Sequence, residues 1–354
     1  MDSNVTSNRS LESVYVGFLV NVCVGFIGFV LNISVCLIIS THSVLRQPFN
    51  YLILNLSFTD LLVSCAVMLN GVLDYLSASY AISYQASSII CQINIGFAVV
   101  SLPAACLTLL IMSIERYQAI AVVRFRKLHL STVCKVIPII WLLAIITAII
   151  PTTYAKLDLH YPYECIIGRI DRFPILILLL VSFSIASIVP IGIMLIVYAI
   201  LLYKLIYNLQ AVQPIWSLMD RRDKQLRRSI LPVLCISIFS AASSIPYLIL
   251  SYYTCVNQYY NPSFRAPFKL KYDLLWFVTA TLFILTPIVN PLLYNLASSK
   301  FRQVLHSLIC GRCCSIADRT TTPSKPIQVK TCKSSTAHSP VHLAQPPPIN
   351  KSVG

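Results

Sequence analysis

Residues Leu109–Ile120 read LLIMSIERYQAI. An apolar run passes directly into Glu115, Arg116 and Tyr117, and Arg124, Arg126 and Lys127 follow shortly after. Ionisable groups beside hydrocarbon are costly and tend to mark function. An acid–base pair closing a long apolar segment, with basic residues just beyond, reads as the cytoplasmic end of a membrane helix. The rest of the chain can be read outward from Arg116.

Composition agrees. The chain has 354 residues, 57% hydrophobic and 11% charged, with a mean hydropathy of +0.76. A soluble domain carries roughly a quarter charged residues. The reading is therefore an all-α, multi-pass membrane protein. Met1–Leu11 is polar, with no short apolar stretch before a small-residue cleavage site. The first apolar segment is thus expected to act as its own targeting signal.

Seven apolar segments follow, at about 14–40, 50–75, 88–118, 135–154, 174–205, 229–253 and 273–296. Each can cross a hydrocarbon core of ~30 Å as helix, and lipid cannot satisfy an open strand edge. The connections leave no room for a second globular domain. The expected organisation is an N-terminus at 1–13, a seven-helix domain at 14–296, an amphipathic and acylated region at 297–314, and a tail at 315–354.

Charge orients the bundle. Arg46, the four basic residues of 119–135, six basic against two acidic residues in 204–228, and eight against one in 297–354 all fall on one side. The other side, Asp74 at the outer end of the second segment included, sums to zero. Positive-inside then puts the N-terminus outside and the C-terminus inside, at the plasma membrane. The basic charge faces anionic membrane lipid, and nucleic acid is not an expected partner. Asn4 and Asn8 lie in glycosylation sequons on the outer side. Asn32 and Asn55 match the same pattern inside apolar runs, where no transferase reaches.

Ser299–Ile309 (SKFRQVLHSLI) reads as a short amphipathic eighth helix at the interface. Cys310, Cys313 and Cys314 follow it and are palmitoylation candidates, the bland reading being reduced thiols. Residues 315–354 are rich in Ser, Thr, Pro and Lys, a composition that cannot bury a core. Six of the thirteen cysteines, Cys23, Cys36, Cys65, Cys106, Cys134 and Cys235, lie in or beside apolar segments and read as small core residues. Cys91, Cys165 and Cys255 flank such segments, and no spacing reads as a zinc site.

Further residues recur helix by helix. They are Gly28 to Asn32 in the first segment, Leu54 to Asp60 in the second, and Cys91 with Glu115-Arg116-Tyr117 in the third. Trp141 and Pro151 lie in the fourth, Pro190 and Tyr198 in the fifth, and Pro246 in the sixth. The seventh has Asn290-Pro291-Leu-Leu-Tyr294, with Phe301 after it. In this order the set resembles the rhodopsin-like (class A) G-protein-coupled receptors, over residues 14–310. The resemblance implies a sodium site at Asp60, Asn32 and Asn290, although Ala105 stands where the family usually has a hydroxyl. It implies a Cys91–Cys165 bridge, which the oxidising outer compartment also favours. It implies that Arg116 pairs with Glu115 at rest, and that Tyr198, Asn290, Pro291 and Tyr294 take part in activation. A heterotrimeric G protein is the implied partner, with arrestin and receptor kinases.

Two departures stand out. Leu226 occupies the position where many relatives carry a second acid facing Arg116, and Ser240 and Ser244 replace the aromatics of the sixth helix. The second segment has opsin-like sequence, but no lysine lies between Lys271 and Lys300. No covalent retinal is therefore expected, nor any other cofactor. Ala98 stands where amine receptors carry an acid. The expected pocket comprises Ala98, Val99, Leu102, Ser182, Ser187, Ser244, Tyr247, Leu248, Trp276, Ala280 and Ile284, all uncharged. It suits a neutral or apolar small molecule, with a peptide bound higher as the alternative. The expected function is a receptor relaying an extracellular ligand to a G protein. The rivals are a receptor-shaped protein that signals weakly or not at all, and a transporter. A transporter needs coupling charges in two repeats, and only Asp60 is available. An enzyme is disfavoured because no paired catalytic groups lie within the segments.

Overall fold

The computed structural model describes residues 2–79, 81–121, 128–157, 165–211, 216–261, 268–297 and 299–309. Within them, the side chains of 2–11, 13, 119–121, 205–211, 216–232, 268–277, 295–297, 299–300 and 308–309 lie outside the description.

The helices run in order α1 (Asp2–Thr41), α2 (Pro48–Ala78), α3 (Tyr84–Ala121), α4 (Leu130–Thr153), α5 (Phe173–Phe183), α6 (Val189–Ala211), α7 (Trp216–Tyr260), α8 (Phe268–Ala297) and α9 (Ser299–Ile309). A π-helical turn, Ser184–Ile188, joins α5 and α6 into one continuous fifth span. Its cause is close by. Pro190 has no N–H and its ring crowds the carbonyl four residues back, so the preceding turn widens. Six spans are long and apolar enough to cross a bilayer. The seventh is α8, whose described apolar stretch is Val278–Tyr294. α9 has the bounds read from the sequence, and buries Phe301 and Val304 against the bundle.

Two boundaries differ most from the expected ones. α1 starts at Asp2, so the polar 3–13 stretch continues the first helix instead of leading up to it. α7 starts at Trp216, well before the apolar run begins at 229. A helix need not end where lipid ends, and the Arg, Lys, Gln and Leu residues of that stretch all support it. α3 continues unbroken through Pro103, and α7 through Pro246.

α3 lies at the centre, packed against α2, α4, α6 and α7, while α8 closes the ring onto α1 and α2. The core joins residues of all these helices, among them Leu52, Leu56, Leu109, Met112, Met194, Tyr198 and Tyr294. Large apolar side chains such as Ile139, Leu142, Ile196 and Ile249 face outward, as lipid-facing surfaces do. Close approach of α1 depends on Gly28. A Cβ there would lie 2.7 Å from Ser64 Oγ and 3.0 Å from Pro287. A two-stranded antiparallel hairpin, β1 (Ala155–Leu157) with β2 (Cys165–Ile167), pairs Leu157 with Cys165. It covers one end of α3.

Candidate functional site

The chemistry of the bundle is arranged along α3, from Arg116 at one end to Cys91 at the other. At the first end, Arg116 Nε lies 2.7 Å from Glu115 Oε2, with both side chains about 15% exposed (15% and 16%). The charges touch without the in-line geometry of a hydrogen bond. Phe49, in the first turn of α2, lies flat beneath the guanidinium, its ring centre 3.6 Å from Arg116 Cζ. Such stacking suits the planar, weakly hydrated guanidinium. Tyr117 is held separately: Lys204 on α6 donates to its hydroxyl at 2.9 Å. Tyr198 and Tyr294 are buried in the same core. Ser237 donates to the Tyr198 hydroxyl at 3.2 Å. The Tyr294 hydroxyl and Ser57 Oγ are buried and make no hydrogen bond among the described residues. The side chain of Leu226 falls outside the described residues.

Halfway along, Asp60 is 2% exposed. Asn290 Nδ2 donates to its Oδ2 at 2.9 Å, joining α2 to α8. Asn32 does not join them directly. Its amide donates to the carbonyls of Pro287 at 2.7 Å and Gly28 at 2.9 Å, because Pro291, which has no N–H, leaves the Pro287 carbonyl without its helical partner in α8. Beside Asp60 lies a small cavity with about 30 Å³ of water-sized space, lined by Thr59, Ser101, Ser240, Ser244, Thr286 and Asn290 among others. That is room for a water or two, or for a small ion, and not for a drug-sized ligand. Its donors are oxygens, the set that hard cations take. Ala105 lines it and adds none.

The two serines at the positions where the sequence reading expected aromatics, Ser240 and Ser244, therefore line this small cavity, together with apolar residues such as Leu102, Leu109 and Phe283. Ser243 also reaches Thr286 across to α8 at 3.4 Å. One turn further along, Tyr247 stacks on Phe283, ring centres 4.9 Å apart and 8° from parallel. This stack couples α7 to α8 one turn beyond Ser244.

At the far end a disulfide joins Cys91 to Cys165, tying α3 to β2. Leu73, Cys91, Ala155 and Leu157 form an apolar cluster under the hairpin. Cys255 is not a flanking residue. It sits inside α7 as a free thiol, packed with Ile170, Leu176 and Leu179. Of the expected pocket residues, Leu102 and Ser244 line the cavity beside Asp60. Val99, Leu248 and Tyr247 belong to or pack on the main core. Ala98, Ala280 and Ile284 are half-buried. Ser182 donates to the Leu179 carbonyl at 3.1 Å, and Ser187 is fully buried with its hydroxyl unpartnered among the described residues. The side chains of Trp276, Asn4 and Asn8, and all of Cys310, Cys313 and Cys314, fall outside the described residues.

Two networks escaped the sequence reading. Asn55 links three helices: it donates to Thr108 at 2.7 Å and accepts from the Trp141 indole at 2.8 Å. Near the hairpin, Asn94 of α3 donates to Asn70 at 3.3 Å, and Asn70 donates to Asp74 at 3.0 Å. The sequence reading counts Asp74 only as an outer-side charge. In the structure it accepts from Asn70 one turn earlier on α2, and Asn70 in turn meets Asn94 of α3. The signal was the four-residue spacing of Asn70 and Asp74, which puts both on one helix face.

Comparison with known proteins follows the same lines. The family model "7 transmembrane receptor (rhodopsin family)" matches residues 31–294. Tachykinin-like peptides receptor 86C of Drosophila melanogaster is 25% identical over 306 residues, 82% of this chain, which spans only 57% of that relative's length. Olfactory receptor 5AR1 of Mus musculus is 26% identical over 321 residues, covering 86% of this chain and 93% of its own. Sphingosine 1-phosphate receptor 3 of Takifugu rubripes is 25% identical over 288 residues, 80% of this chain and 68% of its own. The crystal structure of squid rhodopsin superposes with a TM-score of 0.65 at 19% identity, over 87% of this chain and 89% of that one. That likeness speaks for the fold. The family match runs from within α1 to the last turns of α8 and includes the Asp60, Arg116 and Asn290 positions, so the chain belongs to the rhodopsin family of seven-transmembrane receptors and is a receptor, not an enzyme.

Proposed function

We propose that this receptor sits in the plasma membrane with its Cys91 end outside, and that a ligand arriving there drives nucleotide exchange on a heterotrimeric G protein at the Arg116 end. The observation that carries this reading is the Glu115–Arg116 pair, held over Phe49 beside Tyr198 and Tyr294. A cationic side chain kept at the rim by an adjacent acid can be released when the surrounding helices part. Ligand then acts by population shift, binding the parted state more tightly. The ligand is small and largely apolar, and enters between the half-buried residues Ala98, Ala280 and Ile284. A peptide is the second reading, favoured by the tachykinin-like peptides relative alone.

Asp60, Asn290 and the neighbouring hydroxyls would hold a sodium ion that neutralises the buried carboxylate and disfavours rearrangement there. Retinal attachment is not part of this reading, since α8 carries no lysine between Lys271 and Lys300. Arrestin, receptor kinases and membrane lipid are further partners, the last acting through α9 and acyl chains on Cys310, Cys313 and Cys314. Receptor reconstituted in lipid nanodiscs should accelerate GTPγS uptake by at least one class of purified heterotrimer. Uptake at the rate of empty nanodiscs across all classes would overturn the signalling role. The orientation has its own check. Removing Asn4 and Asn8 together should abolish the glycosidase-sensitive gel shift, and a persistent shift would reverse or break the assigned topology.

A further inference from the structure

We propose that Lys204 and Tyr117 form a closing latch at the Arg116 end of the bundle. Lys204 fastens the inner end of the fifth span to α3 in the resting receptor, and opening requires that bond to break. The proposal deepens the signalling reading, since it rests on the Arg116 end being the one that opens.

The contacts around Arg116 differ in what they can hold. Glu115 lies on α3 beside Arg116. It neutralises the guanidinium, but a partner on the same helix ties no other helix down. Phe49 brings α2 against the guanidinium, and α2 already packs along α1 and α3. The inner stretch of α7 is poorly suited to closing on a cation. Residues 216–228 carry Arg221, Arg222, Lys224, Arg227 and Arg228 against Asp220 and Asp223. A stretch with that surplus repels a cation more than it attracts one. Lys204 is different. It stands on α6 and donates to the Tyr117 hydroxyl of α3 at 2.9 Å, with its ammonium 5.0 Å from the ring centre. That bond joins two helices, directly beside Arg116.

The surroundings favour the bond. Leu201, three residues before Lys204 and so on a neighbouring face of α6, is fully buried in the main core. Tyr117 packs on the same core. Both Lys204 and Tyr117 are half-buried, so the ammonium is held toward α3 and partly shielded from water. A hydrogen bond with a charged donor is stronger than a neutral one, and shielding strengthens it further.

The same chemistry lets the bond open again. Lys204 closes the apolar stretch of the fifth span. A long lysine stem at such a position can lay its apolar part along the helix and carry the ammonium out to water or anionic headgroups. Release therefore exchanges one set of polar partners for another and leaves no charge stranded in hydrocarbon. The tyrosine hydroxyl likewise regains water as the helices part. A bond of moderate strength whose partners are both satisfied after release is a reversible latch.

The test uses purified receptor in nanodiscs without ligand or G protein, so its outcome is separate from that of the exchange assay. Spin labels go on Cys134, exposed on α4, and on Ile200→Cys, an exposed position of α6, with other reactive cysteines replaced. Wild type should show one dominant distance and a minor longer one. Tyr117→Phe keeps the ring and removes only the hydroxyl. It should raise the ratio of longer to dominant distance about fivefold, the scale of losing one partly solvated hydrogen bond. Lys204→Met keeps the stem, removes the donor and should give the same rise. The double variant should rise no further than either single one, because both substitutions remove the same bond. Lys204→Arg, which keeps a donor, should stay nearer to wild type than Lys204→Met. Arg46→Met, at an exposed cation elsewhere on the inner side, should change nothing. If Lys204→Met does not give monodisperse receptor, Tyr117→Phe decides alone. Wild-type distances in Tyr117→Phe, a double variant whose rise is the product of the two single rises, or an equal rise in Arg46→Met would each overturn the proposal.

Discussion

Cys91→Ser is expected to reduce receptor on the cell surface about tenfold or more, with most of the remainder retained inside the cell. The bridge joins positions 74 residues apart. For a closed loop of that size the chain-entropy model gives about 4 kcal/mol. That is an upper figure here, because spans already helical in the bilayer have less freedom to lose. It is still a large share of the 5–15 kcal/mol that typically separates folded from unfolded chains. The loss would also be structural. Without the bridge, β2 loses its anchor on α3, and the hairpin no longer covers the cluster of Leu73, Cys91, Ala155 and Leu157. Antibody labelling of an N-terminal tag on intact cells, compared with permeabilised cells, measures this. A surface fraction near wild type would mean that the hairpin packs without its covalent tie.

Glu115→Gln is expected to raise ligand-free nucleotide exchange about fivefold, and Arg116→Ala to remove it. A partly solvated ion pair contributes ~1 kcal/mol, which is about a fivefold change in a two-state equilibrium. The pair here is only 15–16% exposed, so fivefold lies toward the low end. Two contacts work in the other direction. Phe49 still supports the guanidinium after Glu115 is neutralised, and Lys204 still ties α6 to Tyr117. A rise below about twofold would assign the resting hold to those contacts instead of to the acid–base pair.

The spans were legible because lipid leaves a chain so few options. Seven apolar runs of sufficient length can only be helices, and the amphipathic Ser299–Ile309 stands out by its periodicity. Features outside the lipid constraint were less visible. The polar start of α1 and the charged first turns of α7 give no hydropathy signal, although their residues are compatible with helix. The π turn before Pro190 depends on local carbonyl crowding, which no pattern of apolar residues displays. In the middle of the bundle, Asp60 and Asn290 meet as expected, but Asn32 is drawn to the Pro287 carbonyl left without its amide partner by Pro291. Cys255 was placed as a flanking residue because α7 runs to Tyr260, beyond its apolar segment. Asp74 was counted only as an outer-side charge, and its bond with Asn70 one turn earlier on α2 has no hydropathy signal.

The central claim is that the Arg116 end of the bundle opens to engage a G protein. A distance distribution between spin labels at Cys134, exposed on α4, and at Lys224, in the first turns of α7, tests it most directly, with other reactive cysteines replaced. Adding nucleotide-free heterotrimer should lengthen the distance by several ångströms, adding GTP should reverse the change, and Arg116→Ala should remove it. A distribution that stays fixed while the G protein is bound and exchanging nucleotide would contradict the account.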